Sequence, residues 1–145
     1  MKIKYDIQEK YEEIEIHLCS NERSAELLEV RDLLENILST KIKVHKEQEY
    51  KTVLPTQIVR IYAQNKRVYV RTKDECYEVN DRIYALEEQL QDRGFVRISN
   101  SELVNVRQIE KMDMSYAGTI GMYLKNGDET YVSRRYMKKI KEVLL

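Results

Sequence analysis

The chain has 145 residues, with 25 Lys and Arg against 25 Asp and Glu, so its formal net charge is zero. This length predicts one domain, or one domain with an appendage, and it allows a core that needs no metal or disulfide for stability. Two cysteines exclude a disulfide framework. No apolar run approaches the length of about 20 residues that a membrane-spanning helix needs. The N-terminus also lacks the apolar stretch of a signal peptide. We therefore expect a cytoplasmic protein.

The charges are unevenly distributed along the chain. Residues 1–45 contain seven basic and ten acidic residues, whereas residues 46–145 contain 18 basic and 15 acidic residues. Five cations lie between Arg134 and Lys141. Such a run is typical of a solvated helix face, where cations offset the negative end of the helix dipole. A basic surface for an acidic partner is the alternative interpretation.

The N-terminal residues predict an acidic β-β-α unit over 1–43, which could form a dimer or partner contact. Strands are expected at Lys2–Ile7 and Glu12–Leu18, since apolar and polar residues alternate in the second segment. Ser20 and Asn21 are candidate caps of a helix that ends near Ser39. Its apolar stripe contains Leu27, Val30, Leu34 and Ile37.

A polar stretch, Thr40–Lys51, is interpreted as the boundary before the main domain, 44–145, with Ile42 and Val44 as the only candidates for a short strand there. The segment Ser99–Gln108 is expected to be a loop or a short helical turn. Asn126-Gly127 predicts a hairpin in which both turn residues have positive φ. The overall class is mainly β with short helices (α+β). The strands expected in this domain are Gln57–Ala63, Lys66–Thr72, Glu75–Val79, Phe95–Ile98, Ile109–Met114, Thr119–Leu124 and Thr130–Ser133, and the helices are Arg82–Leu90 and Arg134–Leu144.

No enzymatic constellation is apparent in the sequence. Phosphate-binding glycine loops, the H-E-x-x-H pattern and C-x-x-C pairs are all missing. His17 and Cys19 have the spacing of a metal pair, but no second pair completes a tetrahedral site. Cys76 is interpreted as a packed thiol, because a nucleophilic cysteine needs a base held within reach. We expect a protein that is not an enzyme and that has no cofactor or metal.

Three sequence blocks carry a resemblance to a known family. Phe95–Val106 reads FVRISNSELVNV and is followed by Ile109, and Tyr131–Tyr136 reads YVSRRY. Ile83–Glu87 reads IYALE. In order and spacing these blocks resemble the LytTR family of bacterial DNA-binding domains, over about residues 44–145. The chain is similar to stand-alone members, because the forty-odd preceding residues are too few for a phosphoacceptor receiver domain.

The resemblance implies an elongated antiparallel β domain, rather than a helix-turn-helix, whose loops insert into two successive major grooves and the minor groove between them. It implies that Asn100 and Arg135 read base edges, and that the first hairpin loop contributes Asn65 or Lys66. For Arg97, an ion pair inside the fold is an equally good interpretation. The residues that it makes candidates for phosphate contacts are Arg67, Arg97, Ser101, Ser133, Arg134 and Lys138.

The partners implied by the resemblance are double-stranded DNA, a second copy of the chain on spaced direct repeats, and a membrane-bound inhibitor protein. No small-molecule substrate is expected. The function is then that of a sequence-specific, response-regulator-like transcriptional regulator. The alternative is a β-rich protein-interaction module without DNA binding, which uses Tyr-rich faces or the N-terminal helix. The two functions are distinguished by Asn100, Arg135 and the lysines from Lys138 onward. A pure protein-interaction module has no reason to keep cations beside a loop that carries an asparagine.

Overall fold

The structure is a computed structural model that describes residues 2–145, with only the backbone of Asn36. The chain divides after Asn36 into an N-terminal unit and a larger second unit, Ile37–Leu145. The predicted boundary between residues 43 and 44 falls inside a strand of the second unit. No helix among the described residues is long and apolar enough to cross a membrane.

The N-terminal residues contain a helix, but the two predicted strands are wrong. Helix α1 spans Ala25–Ser39. The side-chain hydroxyl of Ser24 accepts a hydrogen bond from the Leu27 N–H at 3.2 Å, so the helix is capped later than Ser20 and Asn21. Neither Lys2–Ile7 nor Glu12–Leu18 forms a strand. Ile14 is 96% exposed, and alternation alone does not form a sheet without a partner surface to cover its apolar side.

After the end of α1, the second unit contains ten antiparallel strands, two α-helices and two short 3-10 helices, Pro55–Gln57 and Val106–Gln108, which confirms the predicted fold class. The bounds are β1 Ile42–Lys46, β2 Glu49–Val53, β3 Ile58–Gln64, β4 Arg67–Thr72, β5 Cys76–Val79, α2 Ile83–Gln89, β6 Phe95–Ser99, β7 Glu102–Asn105, β8 Ile109–Asp113, β9 Ile120–Leu124, β10 Glu129–Val132 and α3 Arg134–Leu144. Seven strands form a large sheet in the order β2-β1-β5-β4-β3-β7-β6, and three form a small sheet in the order β10-β9-β8.

Two predicted loops contain strands. The polar stretch Thr40–Lys51 is largely the β1–β2 hairpin, in which Ile42 and Val44 are buried. The predicted loop Ser99–Gln108 contains β7, all four residues of which are buried. A central strand covered on both faces has no polar alternation, so the pattern that indicates a half-buried strand is missing there.

The turn at Asn126-Gly127 also differs from the prediction. Only Gly127 has positive φ, at +91°. Residues 125–127 form a three-residue loop, closed by a hydrogen bond of 2.9 Å from the Leu124 N–H to the Asp128 carbonyl. A single glycine with positive φ is the common solution for loops of this length.

Both faces of the large sheet are covered by apolar cores. Ile61 of β3 and Leu103 of β7 belong to a core that includes Leu86 of α2. Val59 and Val104, on the opposite faces of the same strands, belong to a second core with the small sheet and α3. Leu103 and Val104 are successive residues of β7 and so point to opposite faces, whereas in β3 an irregularity in the pairing between Ile58 and Arg60 separates the faces of Val59 and Ile61.

A cluster of charged side chains joins the two sheets. Arg60 of β3 contacts Glu102 of β7 at 2.7 Å and Asp128, in the turn before β10, at 3.0 Å. Arg71 of β4 contacts the same Asp128 carboxylate at 3.1 Å. The Thr130 hydroxyl of β10 donates to Glu102 at 2.6 Å. These directional bonds connect three strands of the large sheet to the β9–β10 hairpin and its turn.

We expect Asp128→Asn to destabilise the fold in a pH-dependent manner. Burial would raise the pKa of Asp128, but hydrogen bonds from Arg71 and Arg60 outweigh burial and hold the pKa below its usual value of 3.8. The ionised carboxylate therefore stabilises the fold above pH 3.8, and this contribution is lost as the pH falls through the lowered pKa. Urea unfolding should show a loss of about 1–3 kcal/mol at pH 7 that shrinks below pH 4.

The control for this experiment is Asp74→Asn, which changes an exposed turn carboxylate and should alter the free energy of unfolding by less than about 0.5 kcal/mol. A difference between wild type and Asp128→Asn that stays constant down to pH 3 would contradict the role assigned to the charge.

Candidate nucleic-acid interface

Three polar turns meet at one end of the large sheet. They are the β3–β4 turn with Asn65 and Lys66, the β6–β7 turn with Asn100 and Ser101, and the β10–α3 junction, residues 133–135. The Ala63 N–H, just before the first turn, donates to the Ser101 carbonyl at 2.8 Å. The Ser133 N–H donates to the Ile98 carbonyl at 2.9 Å. We call these three turns the loop edge; its middle member, the β6–β7 turn, is hydrogen-bonded to both flanking elements.

The β3–β4 turn directs two exposed polar side chains into solvent. Asn65 has φ of +53° and Lys66 has φ of +64°, the mirror-image turn that matches the twist of a hairpin. The next residue, Arg67, is exposed but forms an ion pair with Glu78 at 2.8 Å. Asn65 and Lys66 are therefore the side chains of this turn that are available for a ligand.

The β6–β7 turn is held from within the fold by Arg97. The Arg97 side chain is only 14% exposed. Its Nε donates to the Ser99 carbonyl at 2.7 Å, its Nη2 donates to the Asn100 carbonyl, and its Nη1 contacts Glu87 at 3.3 Å. The structure thus places Arg97 inside the fold, with its guanidinium bonded to the turn.

Side-chain contacts orient the tip of the same turn. The Ser101 N–H donates to the Ser99 hydroxyl at 3.2 Å, and the two serine hydroxyls are 3.2 Å apart. The Tyr136 hydroxyl, from the first turn of α3, donates to Asn100 Oδ1 at 2.9 Å. The turn that carries Asn100 is therefore fixed both to β6 and to α3.

The β10–α3 junction presents cations at the start of a helix. Ser133 is the residue at the cap, and its side chain makes no capping hydrogen bond. The first turn of α3 contains no acidic residue, although acidic side chains are favoured there by the helix dipole. Within the part of the chain that the structure describes, Arg134, Arg135 and Lys138 are exposed and have no ion-pair partner. Cations that oppose the dipole and lack carboxylate partners favour an anionic ligand at this junction.

The β8–β9 loop lies beside Arg134. Gly118 of this loop has φ of +75°, and a Cβ atom at this position would lie 2.8 Å from Arg134 Nε. The Thr119 hydroxyl donates to the Val132 carbonyl at 2.6 Å and anchors the loop to the end of β10. The Arg134 guanidinium therefore lies against a glycine whose missing side chain leaves room for it.

Sequence reasoning missed two contributors to this end of the sheet. Tyr136 was part of the recognised YVSRRY block but received no role, because its contact with Asn100 joins residues 36 positions apart. Gly118 carried no signal beyond being a glycine in a loop. Among the residues that the structure describes, no group of three or more His, Cys, Asp or Glu side chains is placed to hold a metal ion.

Comparisons with known proteins agree on one family. The family model of the LytTr DNA-binding domain matches residues 48–145. An uncharacterized HTH-type transcriptional regulator of Staphylococcus aureus strain COL is 40% identical over 98 residues, and its counterpart in strain MRSA252 is 39% identical over the same length. Each match covers 68% of this chain and 66% of the relative, so this chain spans slightly less than two thirds of their length.

A solved structure shares the fold. The LytTr DNA-binding domain of a Bacillus cereus protein superposes with a TM-score of 0.70 and 20% sequence identity, covering 73% of this chain and 97% of that chain. The match to the family model extends over more than half of the sequence and includes all three turns of the loop edge. The chain therefore belongs to the LytTR family of DNA-binding domains.

Proposed function

We propose that this protein is a transcriptional regulator that binds double-stranded DNA in a sequence-specific manner through the loop edge. The observation that carries the proposal is the convergence of three polar turns and unpaired cations at one end of the sheet. The β4–β5 turn, at the other end of β4, has mixed charge, since it carries Lys73 beside Asp74 and Glu75 and since Glu75 is paired with Lys46. Unpaired cations attract DNA phosphates more strongly than such a mixture of charges does.

The order of the turns supports the assignment of each turn to a different groove of the DNA. The β6–β7 turn is bonded to the β3 strand on one side and to α3 on the other. We assign this middle turn, with Asn100, to a minor groove, and the flanking turns to the two adjacent major grooves. Arg135 then forms the bidentate contact with guanine O6 and N7, for which a planar guanidinium is suited. Asn65 or Lys66 occupies the other major groove.

The remaining residues of the predicted site divide into two roles. We assign phosphate contacts, which fix register without reading sequence, to Ser101, Ser133, Arg134 and Lys138, with a weaker contribution from Arg67 because it shares its charge with Glu78. We propose that Arg97 contributes to DNA binding without contacting DNA. Its guanidinium is hydrogen-bonded to the β6–β7 turn and holds that turn in place.

The regulatory role and the assembly on DNA are also part of the proposal. The name printed for the Staphylococcus aureus relatives, transcriptional regulator, supports the role. We also propose binding of two copies to spaced direct repeats and restraint by a membrane-bound inhibitor, both on the ground of the resemblance to the LytTR family.

We expect Arg135→Glu to abolish sequence-specific binding without unfolding the protein. The test uses a duplex selected from random DNA by the wild-type protein, and fluorescence anisotropy to measure affinity. Loss of the bidentate contact and repulsion from phosphate should weaken binding at least tenfold, that is by at least about 1.4 kcal/mol. The free energy of unfolding should change by less than about 0.5 kcal/mol, since the side chain is exposed.

The matched control is Lys73→Glu, which makes the same change of charge in the exposed β4–β5 turn, at the other end of β4 from Asn65 and Lys66. It should change affinity less than about threefold, because charges farther apart than the Debye length of about 8 Å are largely screened. Equal loss in both variants would contradict the assignment of Arg135. Failure of the wild-type protein to select any sequence would favour the protein-interaction module.

We expect Gly118→Ala to weaken DNA binding through Arg134. The new Cβ would lie 2.8 Å from Arg134 Nε and displace the guanidinium. Gly94→Ala is the control: Gly94 has a similar φ of +81°, but nothing lies within 4 Å of the added Cβ. Both variants should lose about 1 kcal/mol of unfolding free energy, because alanine is disfavoured at positive φ. Only Gly118→Ala should also reduce affinity for the selected duplex. Equal affinities for the two variants would contradict the proposal that Gly118 leaves room for a DNA-binding Arg134.

We expect Lys138→Ala to weaken binding to the selected duplex and to a scrambled duplex by equal factors. A phosphate contact releases about one counterion, so the slope of log affinity against log salt concentration should become shallower by about 0.9. Lys73→Ala should leave the slope unchanged. A loss confined to the selected duplex would instead make Lys138 a reader of bases.

A further inference from the structure

Both carbonyl oxygens of Asn100 accept a hydrogen bond from within the protein. Its backbone carbonyl accepts from Arg97 Nη2, and its side-chain Oδ1 accepts from the Tyr136 hydroxyl at 2.9 Å. No residue that the structure describes accepts a hydrogen bond from Asn100 Nδ2. The amide NH₂ is therefore the side-chain group of Asn100 with no partner in this part of the chain, and it can only donate.

Tyr136 is well placed to fix this arrangement. Its ring is partly buried and packs against the second apolar core, and its N–H donates to the Ser133 carbonyl at 3.0 Å. The hydroxyl is thereby held at a defined place beside the β6–β7 turn. A planar amide carries its oxygen and nitrogen on opposite branches, so a hydrogen bond to Oδ1 directs Nδ2 away from Tyr136.

From this geometry we infer that Tyr136 is a positioning residue that makes Asn100 a reader of A·T pairs in the minor groove. The inference rests on the proposed function, because it assumes that the middle turn meets this groove. Adenine N3 and thymine O2 are acceptors there, whereas a G·C pair adds the N2 amine of guanine, a donor. An amide locked as a donor bonds to the acceptors and is opposed by the amine.

The Tyr136 hydroxyl therefore has a role that a residue used only for packing lacks. If Tyr136 served only to fill the core, Tyr136→Phe would leave base preference unchanged, because the phenyl ring is retained. If the hydroxyl orients the amide, removing it allows the amide to rotate and present Oδ1 to the guanine amine. The variant should then tolerate G·C at the same pair without a general loss of binding.

The experiment uses the full chain and the duplex that it selects from random DNA. The pair read by Asn100 is located first, as the A·T position at which Asn100→Ala loses its preference. At that pair, A·T is replaced by G·C, by inosine·C, which lacks the minor-groove amine, and by 2,6-diaminopurine·T, which adds the amine while keeping the major groove of A·T. Affinities are measured for wild type, Tyr136→Phe and the control Tyr84→Phe, which removes the hydroxyl of an exposed tyrosine of α2.

For wild type and Tyr84→Phe, we expect diaminopurine·T and G·C to bind about tenfold more weakly than A·T, and inosine·C to bind within about threefold of A·T. For Tyr136→Phe, the penalty for the added amine should fall below about threefold, with affinity for the original duplex reduced only about threefold. Discrimination at the pairs read by Arg135 should be unchanged, which separates orientation of the amide from a disturbed fold.

Several results would overturn the inference while leaving the proposed function intact. One is a full amine penalty in Tyr136→Phe, and another is a wild-type protein that prefers the added amine. A third is that Asn100→Ala changes preference at no pair. By contrast, failure of the wild-type protein to select any sequence would refute the proposed function itself.

Discussion

The position of the loop edge depends on the charged cluster that joins the two sheets. Arg60 contacts carboxylates from β7 and from the β9–β10 turn at 2.7 and 3.0 Å, and the Thr130 hydroxyl bonds to the first of these carboxylates. Apolar packing between sheets is non-directional and tolerates sliding, whereas these bonds fix register. Because β10 leads directly into α3, the register of Thr130 also determines where Arg134 and Arg135 emerge relative to the other two turns.

The start of α3 shows a conflict between helix stability and ligand binding. Two arginines occupy a helix turn in which acidic residues are preferred, and the serine before them makes no side-chain cap. Burial of Ile140 and partial burial of Met137 and Leu144 against the second core hold the helix in place. Tertiary packing therefore supplies the stability that local capping does not. The two arginines lie at the N-terminal end of α3, where a bound anion can offset their unfavourable interaction with the helix dipole.

Local patterns predicted most of the second unit, and long-range packing decided what they missed. The bounds of α3, Arg134–Leu144, followed from its apolar spacing and were confirmed. β7 was missed because a strand buried on both faces has no alternation, and the strands expected before residue 20 were wrong because alternation without a covering surface forms no sheet. In the candidate site, the motif supplied Asn100 and Arg135, but the roles proposed for Tyr136 and Gly118 rest on contacts between distant residues, which one sequence does not reveal.

The β3–β4 turn has a further consequence, for the speed of folding. Asn65 and Lys66 close a hairpin between adjacent segments, whereas pairing of β3 with β7 joins residues 40 or more positions apart, such as Arg60 and Val104. Local hairpins form in about 1–10 μs and precede pairings that must close long loops. If this turn reads DNA as proposed, a change at Asn65 or Lys66 alters both DNA preference and an early folding step. The residues that can replace them are then limited by the positive φ that both positions adopt.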